Sequence, residues 1–305
     1  MDDRRPRSPE PAENAPRRPR SPEPAEDAAR RRPRSVRITE RDRELLAFAA
    51  DHRLVLAAHV QVLLGVSAGS AYSRLRSLTA AGMLKQRTVF HHQPGCYRIT
   101  GPGLAVAGSK LPAPRLDYNC YEHDVGVAWL WLAARDGAFG SPQAVLSERQ
   151  IRSHDASPDG RGAPYAVRLG GIGPGGQPRL HYPDLLVTDR DGHRVALELE
   201  LTSKGRTRRE QILAGYGADR GIDVVLYLTD KDAVARSIRA SAARLGISDR
   251  VHVQRVSWSD SASAAGAGVA AERKRATPEP RESRSRTRAV RSARTPTAPA
   301  RGAVR

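Results

Sequence analysis

Between residues 37 and 258 the hydrophobic and polar positions follow two rhythms in succession, first helical and then mixed. In "ITERDRELLAFAADHRL", Leu45, Leu46, Phe48 and Ala49 form an apolar stripe at helical spacing, which predicts a helix over about 40–51. Thr39 stands where an N-cap is needed, and Asp42, three positions on, can reach back to the cap amide. "LAAHVQVLLG" predicts a short second helix that Gly65 ends. Ser67 then caps a third in "SAGSAYSRLRSLTAAGML", whose Ala71, Leu75 and Leu78 share a face and leave Tyr72, Ser73, Arg74, Arg76 and Ser77 for others. "MLKQRTVF" and "CYRIT" read as two short strands about the turn signal Pro94–Gly95.

Beyond residue 110 the pattern changes. Val125, Ala128, Trp129 and Leu132 predict a buried helix over about 118–135. Strands are expected at 143–151, 183–187, 194–201 and 222–228 and in "VHVQRV", with helices in "TRREQILAGYGADRG" and "KDAVARSIRASAARLG". The unbroken apolar run "IDVVLYL" implies a strand covered on both faces. The resulting order is αβββαβ. "GGIGPGGQP" at 170–178 lacks a Gly-Lys-Ser/Thr sequel and a following helix, so it reads as a flexible loop rather than a phosphate cradle.

Both ends of the chain differ from this. "RRPRSPEPAE" occurs at 4–13 and again at 17–26, and the frequent proline forbids helix or ladder pairing, so residues 1–36 are expected to be disordered. Residues 259–305, rich in Ala, Ser, Pro and Arg, read the same way. The formal charge is +18, and residues 37–110 hold 10 Lys or Arg against 4 Asp or Glu. Such a field attracts polyanions, nucleic acid above all. Two cysteines make no disulfide framework, and His91, His92 and Cys96 lack a fourth partner for zinc. No apolar run approaches the roughly 20 residues that cross a bilayer, and no apolar signal core opens the chain, so a cytoplasmic protein without a membrane partner is expected.

Three helices and a β-hairpin in this order are those of a winged helix-turn-helix over residues 37–110. "AYSRLRSLTAAGML" resembles the third helix of many winged-helix regulators, where A-x-x-R-L-x-x-L and a glycine lead into the wing. A helix with Arg and small hydroxyl residues on its free face suits a major groove. Arg74 and Arg76 from that helix, with Lys85 and Arg87 from the wing, are the expected contacts to double-stranded DNA. A helical protein-interaction module is the alternative.

In "RVALELEL" the alternation puts Val195, Leu197, Leu199 and Leu201 on one face and Ala196, Glu198 and Glu200 on the other. Asp184 begins the neighbouring strand of the same hairpin. Three carboxylates converging there would form a hard oxygen site for Mg2+ or Mn2+, able to orient a phosphate and activate water. The bland counterpart is a solvated strand face.

Pro183-Asp184 followed by Glu198-x-Glu200 inside αβββαβ resembles the PD-(D/E)xK nuclease superfamily, with its restriction-endonuclease-like fold, over residues 111–258. The resemblance implies an α+β chain in which Asp184, Glu198 and Glu200 bind metal and act in catalysis. Glu200 stands at the usual lysine position, where some restriction enzymes tolerate glutamate, and Lys204 is placed to supply the cation. Gln211 and Tyr216 match, one position out of register, the Q-x-x-x-Y signature of RecB-type members. The span 37–258 is similar to the replication-relaxation family of plasmids and mobile elements, through "RLRSLTAAGMLKQR", "YEHDVGVAWLW" and "PDLLV…VALELELTSKG". That likeness implies a plasmid DNA partner and a metal-dependent nickase or nuclease. A non-catalytic replication or transcription regulator is the other reading, and a homodimer is compatible with both.

Overall fold

The computed structural model describes residues 37–91, 94–157 and 165–256; the two arms expected to be disordered, 1–36 and 259–305, lie outside the described residues. Helix α1 (Glu40–Asp51) opens on a closed capping box. Asp42 N donates to Thr39 Oγ1 at 3.4 Å and Thr39 N donates to Asp42 Oδ2 at 2.6 Å, so two end amides find acceptors. After the two-residue strand β1 (Val55–Leu56), α2 (Ala57–Leu64) begins with Leu56 N donating to His59 Nδ1 at 3.1 Å. Gly65 ends it in the left-handed region at φ 61°. Helix α3 (Ala68–Ala80), capped by Ser67, buries Ala71, Leu75 and Leu78 as its spacing requires.

Strands β2 (Leu84–Arg87) and β3 (Cys96–Ile99) pair antiparallel, and β1 lies on the far edge of β3. A helix that the pattern did not signal, α4 (Gly101–Ala107), packs behind them. Its Gly103 is obligatory, because a Cβ there would stand 2.2 Å from the Met83 carbonyl oxygen.

Helix α5 (Tyr121–Arg135) belongs to two cores at once. Ala128 and Leu132, four apart, close the cluster of Leu45, Phe48, Leu75 and Leu78. Leu130 and Ala134, on the next face, pack on the sheet beside Leu185 and Leu197. The units on either side of residue 110 are therefore joined by a shared helix as well as by a linker.

The main sheet is built from β4 (Pro142–Ser147), β7 (Leu185–Asp189), β8 (Arg194–Leu199), β9 (Val224–Thr229) and β10 (Val251–Arg255), in the order β10-β9-β8-β7-β4. β4, β7 and β8 run as an antiparallel meander, whereas β8, β9 and β10 are parallel. Helices α7 (Arg206–Ala218) and α8 (Asp232–Arg244) make the crossovers. They cover the face that carries Leu186, Ala196, Val225 and Tyr227, while α5 covers the face that carries Leu185, Val187, Leu197 and Leu199. Both faces are covered, which is why "IDVVLYL" has no polar alternation.

Two local readings are corrected. Residues 148–151, expected as the end of a strand, open helix α6 (Glu148–Asp155). Ser147 and Gln150 form a capping box, with Ser147 N donating to Gln150 Oε1 at 2.9 Å, and these local hydrogen bonds override the apolar rhythm. The glycine-rich 170–178 stretch is not a free loop; it is the tip of a hairpin between β5 (Val167–Ile172) and β6 (Pro178–His181). The fold is mixed α+β, and no helix among the described residues is long and apolar enough to cross a membrane.

Candidate functional site

The β7–β8 hairpin sets Leu185 opposite Leu197 and Leu186 opposite Ala196. Continued by two residues, this register brings Asp184 across from Glu198. The Asp184 carboxylate takes over the ladder where β7 has not yet begun, because Leu199 N donates to Asp184 Oδ2 at 2.8 Å. Glu198 shares the α7 face with Ala196 and is only 2% exposed. Its Oε1 accepts the Tyr216 hydroxyl from α7, and His181 Nε2, from the end of β6, lies 2.6 Å from the same oxygen. Burial, and then the Glu198 charge, push the Tyr216 hydroxyl well above its ordinary range, so it remains a donor.

Glu200 lies just past β8, its N–H donating to the Leu228 carbonyl at 2.8 Å, and it is 5% exposed. Lys204 Nζ donates to Glu200 Oε2 at 2.5 Å. Burial pushes the Glu200 carboxyl upward; the Lys204 ammonium opposes this, and the Glu198 and Asp184 charges add to it. For Lys204 burial favours the neutral amine, yet Glu198, Glu200 and Asp184 together hold its affinity for a proton above the ordinary lysine range. The four expected site residues thus share one electrostatic field, and the ammonium is its internal counter-ion.

A second basic group meets Asp184 from the opposite side. His123, in the first turn of α5, places Nε2 at 3.2 Å from Asp184 Oδ2. Burial works against its charge, but Asp184 and Asp124 push its pKa up to about 11. Burial likewise raises Asp184, and the His123 charge with the Leu199 N–H brings it below the usual carboxylate range. The two form an ion pair at neutral pH. They line a cleft with Asp51 and Arg53 of the helical unit and Asp124, Glu148 and Arg149. Arg53 bridges the units, donating from Nη2 to Glu148 Oε2 at 2.8 Å.

Asp184, Glu198 and Glu200 offer hard oxygen donors, but not a tightly closed set. Among the described residues, the group of three whose ligand atoms all lie within 4.8 Å of one another is Asp189, Asp191 and His193 in the β7–β8 turn. Turn geometry accounts for that group, since Asp189 Oδ1 accepts from Asp191 N and His193 N, both at 2.9 Å.

Of the four residues expected at DNA, Arg74 is corrected. Its Nε and Nη2 donate to both carboxylate oxygens of Asp42, which is fully buried, and Nη2 also meets the Arg37 carbonyl at 3.3 Å. The guanidinium therefore neutralises the capping carboxylate of α1 instead of facing outward. Arg76, Lys85 and Arg87 are exposed, and Tyr72 on α3 joins them at 42% exposure. The sequence reading missed His123, Asp124, His181 and Arg53. A His-Asp pair in the first turn of a helix carries no signal beyond the helix dipole, and His181 is brought in by a hairpin that the pattern did not reveal. Comparison with protein-family models, curated proteins and solved structures finds no match to this chain.

Proposed function

We propose that this chain binds double-stranded DNA through its helical unit and cleaves a phosphodiester bond at the carboxylates of its sheet, with Mg2+ or Mn2+ as cofactor. The observation that carries the reading is the burial of Glu198 and Glu200 in one field with Asp184 and Lys204; a solvated strand face would leave those glutamates in water. The α1–β1–α2–α3–β2–β3 order supports a winged helix-turn-helix, and the meander-then-parallel sheet supports the likeness to restriction-endonuclease-like nucleases. With that likeness comes the plasmid replication and relaxation role of the family named above.

The donor set fits a hard divalent cation: three carboxylates, with an ammonium and an imidazolium now holding the positive charge that an ion would supply. Asp184, Glu198 and Glu200 would hold the ion, which when bound supplies a Lewis acid for the phosphate and lowers the pKa of water. The chain's own groups do the rest. Tyr216 and His181 orient Glu198, Leu199 N–H orients Asp184, Lys204 neutralises negative charge on the phosphate, and Glu200, raised by burial, suits a general base.

A second reading, a non-catalytic replication or transcription regulator, is favoured by one observation: each carboxylate already holds a protein partner, His123, His181 with Tyr216, or Lys204. Conversion of supercoiled plasmid to open-circular or linear DNA, with Mg2+, Mn2+ or EDTA, separates the two. Metal-dependent cleavage lost in Glu198→Gln and in Glu200→Gln supports the first; folded, DNA-binding protein that leaves the plasmid intact supports the second. Failure to bind duplex at low salt would remove both.

A further inference from the structure

Asp124 is the least explained charged group in the protein. Its side chain is 7% exposed, and Oδ2 is buried with no hydrogen-bond partner. The nearest cations do not serve it, since Arg53 Nη1 stands 3.7 Å and His123 Nδ1 3.9 Å from the other oxygen, both beyond hydrogen-bond reach. Buried carboxylate oxygens are found with donors or with metal ions, because nothing else replaces the water that they have lost.

The cleft that Asp124 lines is also short of positive charge. Asp51, Glu148 and Asp184 border it, and its basic groups are already engaged. Arg53 is held by Glu148 at 2.8 Å, His123 by Asp184 at 3.2 Å, and Arg149 Nε by the Ala50 carbonyl at 2.9 Å. Its internal volume, about 20 Å³, admits an ion and a water and excludes any organic group.

We propose that this cleft is a divalent-cation site anchored on Asp124, with Glu148 and Asp184 holding the ion's remaining waters. Mg2+ keeps several waters and binds proteins through one or two carboxylates, so a closed triad of ligand atoms is not required. The ion sits where the helical unit meets the sheet, between Asp51 at the end of α1 and the first turns of α5 and α6. It is distinct from an ion on Glu198 and Glu200, and it does not depend on the chain being a nuclease.

Mn2+ titration of the full chain, with free Mn2+ read by electron paramagnetic resonance, tests this. The wild type should bind two ions, Asp124→Asn should lose one, and Glu200→Gln should lose the other. If Asp124→Asn binds as many ions as the wild type, the cleft is not a cation site and the proposal falls, whatever becomes of the cleavage reading. If a single ion is lost in Asp124→Asn and kept in Glu200→Gln, the cleft site stands and the proposed nuclease metal falls. No bound Mn2+ in the wild type removes both. Should Asp124→Asn fail to fold by circular dichroism, Glu148→Gln replaces it. Loss of a group that holds the ion's water should then weaken one of the two ions about 10-fold, and unchanged affinities would overturn the proposal.

Discussion

Asp51, the last residue of α1, allows the electrostatics of the cleft to be tested by stability alone. Burial pushes its pKa up from 3.8 to about 7, and Arg149 only partly opposes this. Glu148, Asp124 and Asp184 border the same cleft, and His52, Arg53 and His123 are its other titratable or basic groups. The unfolded chain releases the Asp51 proton near 3.8 and the folded chain near 7. Between those values the native state binds more protons, so stability falls as pH rises from about 4 to about 7 and is level above. At ~1.4 kcal/mol per pH unit the gap sets a ceiling of about 4 kcal/mol, of which roughly 2–3 kcal/mol develops between pH 5 and pH 8. The side chain is part-exposed, and solvent screening reduces that difference to about 1–2 kcal/mol. Urea denaturation of wild type and Asp51→Asn, in EDTA to keep cations from the cleft, measures it. The variant should gain on the wild type by that amount between pH 5 and pH 8. An unchanged difference between the two proteins across this range would refute the assignment of a desolvated Asp51.

Arg74→Ala should cost about 3–5 kcal/mol in denaturant unfolding, because it leaves the fully buried Asp42 without its counter-ion. Arg76→Ala, by contrast, should leave the melting temperature unchanged and lower the slope of log affinity for duplex DNA against log salt by about one. Gly103→Ala places a Cβ against the Met83 backbone, which cannot move aside as a side chain can, and should destabilise by about 1–3 kcal/mol in the same unfolding assay. Tyr216→Phe keeps a fully buried ring but removes the donor to Glu198; a loss of about 1–2 kcal/mol and roughly 10-fold weaker Mn2+ binding at the strand carboxylates are expected, the second by titration.

Much of the fold was legible because local chemistry and periodicity agreed. The Thr39–Asp42 box, Gly65 and Ser67 each bound a helix whose apolar stripe has the matching period, and helix α1 begins and ends where they place it. Elements were missed where the two signals conflict or where tertiary packing decides. "QAVLSERQI" alternates like a strand to its end, but its last residues carry a capping box. Strands β5 and β6 lie within Gly- and Pro-rich sequence, where propensity argues against strands, and α4 depends on Gly103 approaching Met83, a contact between residues distant in sequence. At the site, alternation located Glu198 on its face and hairpin logic located Asp184 opposite it. The partners His123, His181 and Arg53 come from three separate elements and have no common spacing. Arg74 was misread for a related reason: a helix face looks free until the neighbouring helix is known to carry a buried carboxylate.

The burial of the two glutamates bears on purpose as well as on position. Around Glu198 the α7 face of the sheet is apolar, with Ala196, Leu213 and Tyr227 nearby in the same core. A leucine there would extend that core without desolvating a charge, and replacing buried ion pairs by apolar side chains is commonly neutral or stabilising. Stability alone therefore does not account for Glu198, Glu200 and their ring of donors. The donors explain how the fold tolerates the carboxylates, since Tyr216, His181 and Lys204 each meet an oxygen that would otherwise be stripped of water. They also set how the site must work. Lys204 feels all three carboxylates, and it is more than one-third exposed, on the loop between β8 and α7, so it can leave Glu200 without disturbing the core. His123 is likewise part-exposed and pairs with Asp184 at the wall of an open cleft. The two basic groups that must give way to a cation are thus the mobile ones, whereas Tyr216, which must keep Glu198 in place, is locked in the core. That division of fixed and displaceable partners is the physical basis for reading the cluster as a site.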